Sequence, residues 1–359
     1  MKNTILLLLG ILAIISCHKT KDEGEVKGSC DLKTVFKAPG GYTIQSVGTI
    51  DFSGFKVESF QFVNEAAGYV MATNTGGYVR LLKTVDGGKN WTDVYINILH
   101  YPRGMAFRDE NYGLISVYDV TGCPNNCADK CAALKTENGG NSWVIIEYPN
   151  LLGYLHHLQF DEAGQLYATL SYGTQTSIVH SDDGGATFNT LYQAPDLVFA
   201  ISTFSFQLYQ DKIYASGTGG SILVINKNGD LLKTIQAPLS TIWDLKVIDE
   251  DNLVVAFSEA VLKTTDGGNS WQSIFDGSAR LIDFSTPEKG LILKSKSYCP
   301  SDIYQANDLF AATNDGGKNW IEPDETTTNL AIFFSNSQKI AAGRYMMFFR
   351  EKLLELKEN

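Results

Sequence analysis

The chain has 359 residues, a formal net charge of −11 and a pI near 5.0, with 44% hydrophobic and 11% aromatic residues. That length supports a large core, and the acidic balance argues against nucleic acid or an anionic membrane surface as partner. The six cysteines must be read against the compartment the first residues specify.

Met1 and Lys2 precede a continuous apolar run from Ile5 to Ile15, too short for a resident membrane helix and of the form of an export signal. Ile14-Ile15-Ser16-Cys17 resembles the bacterial lipobox, which implies that residues 1–16 are a lipoprotein signal peptide and that Cys17 is lipidated. Residues 17–29 form a polar stretch with little to bury and are expected to act as a disordered tether. Its run from His18 to Glu25 resembles the Lys-plus-acid signal of Bacteroidetes surface lipoproteins. The expected location is the cell envelope, anchored to the outer membrane by lipid alone, on either its surface or its periplasmic side.

From residue 30 to 359 a single domain is expected, and one short phrase recurs along it. Its copies are Thr84-Val-Asp86-Gly-Gly-Lys-Asn-Trp91, Thr136-Glu-Asn138-Gly-Gly-Asn-Ser-Trp143, Ser181-Asp-Asp183-Gly-Gly-Ala-Thr-Phe188, Thr264-Thr-Asp266-Gly-Gly-Asn-Ser-Trp271 and Thr313-Asn-Asp315-Gly-Gly-Lys-Asn-Trp320. Repetition at this period marks one supersecondary unit stacked many times. Each copy closes the same frame of four apolar segments separated by turn residues, as in Val57 to Val63, Gly68 to Thr73, Val79 to Thr84 and Trp91 to Ile96. Four antiparallel strands make one blade, so the fold is all-β.

These turns resemble the Asp-box hairpins of sialidases, sortilin-type receptors and photosystem II stability and assembly factors. The resemblance implies a β-propeller in which each Asp ties its own turn and each aromatic ring packs between neighbouring blades. Asn138 and Phe188 depart from the pattern and are expected to hold their turns less firmly. The long gap between Phe188 and Trp271 contains a further blade around Asn226-Lys227-Asn228-Gly229, and a boxless unit runs from Leu330 to Phe349. Seven blades result, six being the alternative. Leu32 to Phe36 is expected to supply the outer strand of the last blade, with Leu353 to Lys357 competing for that place or extending beyond it.

Aligned on Phe62, Phe107, Phe160, Val247 and Phe284 near the ends of the first strands, five residues fall in register four positions earlier: Glu58, Arg103, His156, Trp243 and Arg280. Phe204 and Leu330 are looser members. Innermost strands line the channel of a propeller, so this ring is expected near the channel mouth as a candidate ligand-binding rim, or as the lining of a wet channel. His156 and His157 are neighbours on a strand and point to opposite faces, which argues against a shared metal, and no cofactor is expected.

Cys123, Cys127 and Cys131 share an insertion between the second and third strands of the second blade, and Cys299 lies in the equivalent insertion of the sixth. An exported chain favours disulfides among these and Cys30, one of the five being left over; a thiolate metal site is the alternative, although the spacing matches no closed zinc motif.

A sialidase needs three arginines on its substrate carboxylate, a tyrosine nucleophile with its glutamate, and an acid/base aspartate. The chain has six arginines, of which only Arg103 and Arg280 fall on the ring, and Tyr101-Pro102-Arg103-Gly104 is a poor match to the family's Arg-Ile-Pro signature. The chain is closer to the single-domain assembly-factor propellers. That resemblance implies a non-catalytic scaffold binding an envelope protein or glycan, with a sialidase-like glycoside hydrolase as the alternative.

Overall fold

The computed structural model describes residues 35–37, 42–52, 54–74, 78–94, 100–119, 130–173, 175–194, 206–216, 218–296, 307–321, 334–341, 344–349 and 352–358. Seven antiparallel sheets form a ring, a seven-bladed β-propeller; beyond one short 3-10 turn at Thr218–Gly220, the described secondary structure is strand. From the channel outwards, the first blade is Phe55–Phe62, Gly68–Asn74, Val79–Thr84 and Thr92–Val94. The second is His100–Phe107, Gly113–Asp119, Lys130–Thr136 and Val144–Leu152, and the third is Tyr154–Phe160, Leu166–Tyr172, Gln175–Ser181 and Asn189–Ala194. The fourth, Phe206–Tyr209 to Leu231–Gln236, and the fifth, Asp244–Val247 to Gln272–Asp276, repeat the pattern. In the sixth, three strands run from Ala279–Phe284 to Asn307–Thr313, and Ile321 bridges Ala312 in the outer place.

Closure of the ring corrects the sequence expectation. The seventh blade runs Phe334–Ala341, Arg344–Phe349, Lys352–Glu358 and then Tyr42–Thr49, with Val35–Lys37 as a fifth, outermost strand. Leu353 to Lys357 is thus the third strand rather than a rival outer one. Leu353, Leu354 and Leu356 are all buried, and a strand apolar on both faces belongs inside a sheet. The segment expected at the outer edge does reach it through Val35–Lys37, but Tyr42–Thr49 stands between it and Lys352–Glu358, with Tyr42 pairing with Glu358 and Thr49 with Lys352.

The repeated turns explain why the blades are alike. In the first, the Thr84 hydroxyl donates to Asp86 Oδ1 at 2.8 Å and accepts the Gly88 N–H at 2.9 Å, while Asp86 Oδ1 accepts the Asn90 N–H at 2.9 Å. These bonds favour the anion and hold Asp86 at about 2, and the same arrangement holds Asp183, Asp266 and Asp315 at about 2. Gly88 has φ +90°, and a Cβ there would collide with the Leu353 side chain of the seventh blade. Trp91 lies edge-on to Phe62 of its own blade and packs on the cluster containing Leu353 and Met346 of the seventh. Phe188 lies edge-on to Tyr148 of the preceding blade in the same way. Asn138 reproduces the hairpin: its Oδ1 accepts the Ser142 N–H at 2.9 Å and the Thr136 hydroxyl at 3.1 Å.

Candidate functional site

Three of the five ring residues stand at the same register position for a backbone reason. In the first blade Val57 pairs with Ala72 and Ser59 with Met71, leaving Glu58 as the extra residue of a β-bulge. Arg103 is the extra residue between Pro102 and Gly104, and Arg280 between Ala279 and Leu281. A bulge inserts one residue, bends the strand and re-aims the side chain it carries. In the third blade the bulge falls one place later, so that His156 stays paired with Thr169 while His157 takes a left-handed φ of 51°. Trp243 precedes the inner strand of the fifth blade, donates its N–H to Ala256 O at 2.8 Å and is 38% exposed. In the seventh blade the irregularity of the inner strand lies between Phe334 and Ser337. Leu330 and Phe204 lie outside the described residues.

The ring divides into separate environments. Glu58 is exposed, accepts the Thr73 hydroxyl at 2.8 Å and lies 3.7 Å from Lys56 Nζ. Arg103 and His156 come together across the seam between the second and third blades. The exposed Arg103 guanidinium lies 5.2 Å from the centre of the Tyr154 ring, a cation–π contact, and the His156 ring is 6.3 Å from the same ring. His156 is only 6% exposed, and its Nε2 has no hydrogen-bond partner among the described residues. Burial, and then Arg103, lower its pKa. Burial, and then His156, bring His157 down to about 4, so both rings are neutral at physiological pH. His157 Nδ1 lies 3.1 Å from the Thr169 hydroxyl. Among the described residues no cluster of three or more His, Cys, Asp or Glu is placed to hold a metal.

Of the cysteines only Cys131 is described, and it lies not in the insertion but on the third strand of the second blade, paired with Tyr118. It is a free thiol, 2% exposed, and burial pushes it up to about 12. Cys17, Cys30, Cys123, Cys127 and Cys299 lie outside the described residues.

Sequence reasoning missed the other end of the inner strands. A cavity of about 570 Å³ opens there, lined by Phe60, Met105, Leu158 and Phe206, with Arg108, Asp161 and Glu162 among its polar residues. The Gly87 N–H donates to Ala66 O at 2.7 Å, so the Asp-Gly-Gly turns share this side with the turns joining first and second strands. Around the cavity, whose lining includes Gln61 and Gln338, glutamines clasp the next blade. Gln207 Oε1 accepts the Val247 N–H at 2.8 Å, and Gln338 Oε1 accepts the Phe62 N–H at 2.6 Å while its Nε2 donates to Phe62 O at 2.9 Å. Between the fifth, sixth and seventh blades an ionic chain replaces them: Lys246 pairs with Asp283, which accepts the Tyr345 hydroxyl. The signal was present in the sequence, since glutamine stands immediately before the aligned apolar residue at Gln61, Gln159 and Gln207.

No family model and no curated protein matches the chain. Solved structures do match. YCF48 from Cyanidioschyzon merolae aligns over 88% of this chain and 98% of its own at 14% identity with a TM-score of 0.63, and a structure described as YCF48 bound to D1 peptide gives the same values. The GH74 xyloglucanase of Xanthomonas campestris aligns at 13% identity and a TM-score of 0.58 over 87% of this chain and 53% of its own. Likeness at this identity shows the propeller fold, common to a peptide-bound protein and a glycanase, and leaves function to the site.

Proposed function

We propose that this chain is a non-catalytic scaffold of the cell envelope, lipid-anchored through Cys17, whose rim of Glu58, Arg103, His156, Trp243 and Arg280 binds a protein or glycan partner. The observation that carries the reading is the bulge repeated at Glu58, Arg103 and Arg280: three blades spend an irregularity at one level of the inner strand, each on a charged residue. Bulges of this kind re-aim side chains beside functional sites. Assembly of an envelope complex is the role that the sequence resemblance to assembly-factor propellers suggests, and the peptide bound to YCF48 is a precedent for this fold binding a protein segment.

The test is affinity capture from the native envelope with the full-length chain. An envelope component retained by the wild type and lost in Arg103→Ala and Trp243→Ala supports the scaffold. Turnover on a panel of sialosides and plant glycans would overturn it in favour of the glycoside hydrolase. Deleting the segment from Cys123 to Cys127 in the same assay separates a contribution of the cysteine-bearing insertion from that of the rim.

A further inference from the structure

The described arginines are not equivalent. Arg80 binds Asp93 at 2.6 Å, Arg108 binds Asp109 at 3.0 Å, and Arg344 binds Glu65 at 2.6 Å and also Glu355. Arg103 has the Tyr154 ring but no carboxylate partner among the described residues. In a chain of net charge −11 such an exposed guanidinium is notable, because acidic side chains are abundant and, among the described residues, none is placed against it. Beside it is a second unmet demand. The Nε2 of His156 is buried without a hydrogen-bond partner among the described residues, and leaving such an atom unpaired costs about 1–3 kcal/mol. Two unsatisfied groups flank one aromatic ring at a blade seam, and a bulge sets the position of one of them.

We infer that Arg103 and His156 form a subsite for a single carboxylate of a ligand, beside the Tyr154 ring. A guanidinium presents a planar donor fork that matches a carboxylate, and a neutral imidazole with its proton on Nε2 adds one further donor. The remainder of the ligand carries little negative charge, because the net charge of this chain repels polyanions. This inference names the ligand chemistry of the rim and rests on the reading of that rim as a binding site.

The groups facing His156 are Arg103 from the second blade and Tyr154 and His157 from its own strand. A bound carboxylate offsets the field of Arg103, so His156 must titrate at higher pH when the subsite is filled. The experiment follows the His156 imidazole by NMR in the full-length chain, assigned with His156→Gln, during addition of four probes. These are N-acetylglycylglycine, its C-terminal amide, methyl glucuronide and methyl glucoside. The expected result is that a carboxylate-bearing probe shifts the His156 signals and raises its midpoint, that its neutral counterpart does not, and that Arg103→Gln weakens binding at least tenfold while Leu232→Ala, an exposed residue on the outer strand of the fourth blade, leaves it unchanged. Response to the peptide acid alone or to the uronate alone supports the subsite and identifies the source of the carboxylate. Silence of both acids, equal binding of the neutral analogues, or unchanged binding in Arg103→Gln would overturn it. Envelope capture that depends on the rim while both acids stay silent removes the subsite and keeps the scaffold. The converse, carboxylate binding without any captured partner, removes the scaffold alone.

Discussion

Gln61 clasps the backbone of Phe107 in the next blade: its Nε2 donates to Phe107 O at 2.8 Å and its Oε1 accepts the Phe107 N–H at 2.7 Å. One amide side chain thus imitates a strand at a seam where the two innermost strands exchange no ladder bonds of their own. Phe107 is 2% exposed, so loss of Gln61 leaves two buried backbone groups unmet.

Gln61→Leu is therefore expected to cost about 2 kcal/mol or more, read as a lowered midpoint in urea. Gln338→Leu removes the same clasp between the first blade and the seventh, the blade in which Tyr42–Thr49 closes the ring by pairing with Lys352–Glu358. Its additional signature is faster amide exchange in Tyr42–Thr49 and Lys352–Glu358. If both variants unfold with the midpoint of the wild type, the clasps are incidental.

The hairpins give a second expectation. Four of the five turns hold an aspartate at about 2, and the turn of the second blade holds Asn138 in the same bonds. Asn138→Asp places an anion where the Ser142 N–H, the Ser142 hydroxyl and the Thr136 hydroxyl supply donors, and is expected to stabilise by up to about 1 kcal/mol at neutral pH. The sign follows from linkage. A carboxyl with a lowered folded pKa contributes stability above its unfolded value near 4 and loses it as pH falls towards 2. The gain over the wild type should therefore vanish in acid, and an equal gain at pH 2.5 and pH 7 would contradict the account.

How much of this was legible follows from where the chain repeats itself. Asp86, Asp183, Asp266 and Asp315 are locally determined, each binding residues two and four positions away, so sequence alone located their turns. Aligning blades on Phe62 and its counterparts also found the level of Glu58, Arg103 and Arg280, because bulges recur with the repeat. Closure was read only in part: Val35–Lys37 does stand at the outer edge of the seventh blade, but Tyr42–Thr49 meets Lys352–Glu358 only through ring formation, which no local pattern announces. At Asn138 the amide oxygen accepts the same N–H as a carboxylate, so the hairpin forms, and Asn138→Asp measures how much less firmly it is held. The blade alignment put Arg103 and His156 on one ring but did not find Tyr154, whose ring contacts Arg103 across the blade seam.

Asp244 predicts a pH dependence of opposite sign. Its carboxylate accepts the Ile282 N–H of the sixth blade at 3.0 Å and the Leu245 N–H at 2.9 Å, yet desolvation outweighs these bonds and pushes it up to about 6. A carboxyl with a raised folded pKa favours folding while protonated. That contribution is full below the unfolded value near 4 and is lost as pH rises through 6. Asp244→Asn removes the titration and keeps one oxygen as acceptor. The variant is expected to lose less stability than the wild type between pH 4 and pH 7, measured as urea midpoints in matched buffers. Parallel profiles for the two proteins would show that Asp244 does not titrate there.

Cys131 supplies the last expectation, on reactivity. Only a thiolate attacks an alkylating reagent or a disulfide, and a thiol raised to about 12 supplies almost none at neutral pH. Packing reinforces the chemistry, since Cys131 sits in the cluster of Tyr148, Leu151 and Leu155 that joins the second and third blades. In the folded protein at pH 7.5 Cys131 is therefore expected to resist iodoacetamide and to stay out of any mixed disulfide with glutathione, becoming labelled only above the unfolding midpoint in urea. Peptide mapping after alkylation reads this residue by residue. Cys131→Ala, which leaves a small void in that cluster, is expected to cost about 1 kcal/mol without altering the labelling of the other cysteines. Rapid native labelling of Cys131, or its recovery in a disulfide with Cys123 or Cys127, would mean that the third strand of the second blade leaves its register with Tyr118 in solution.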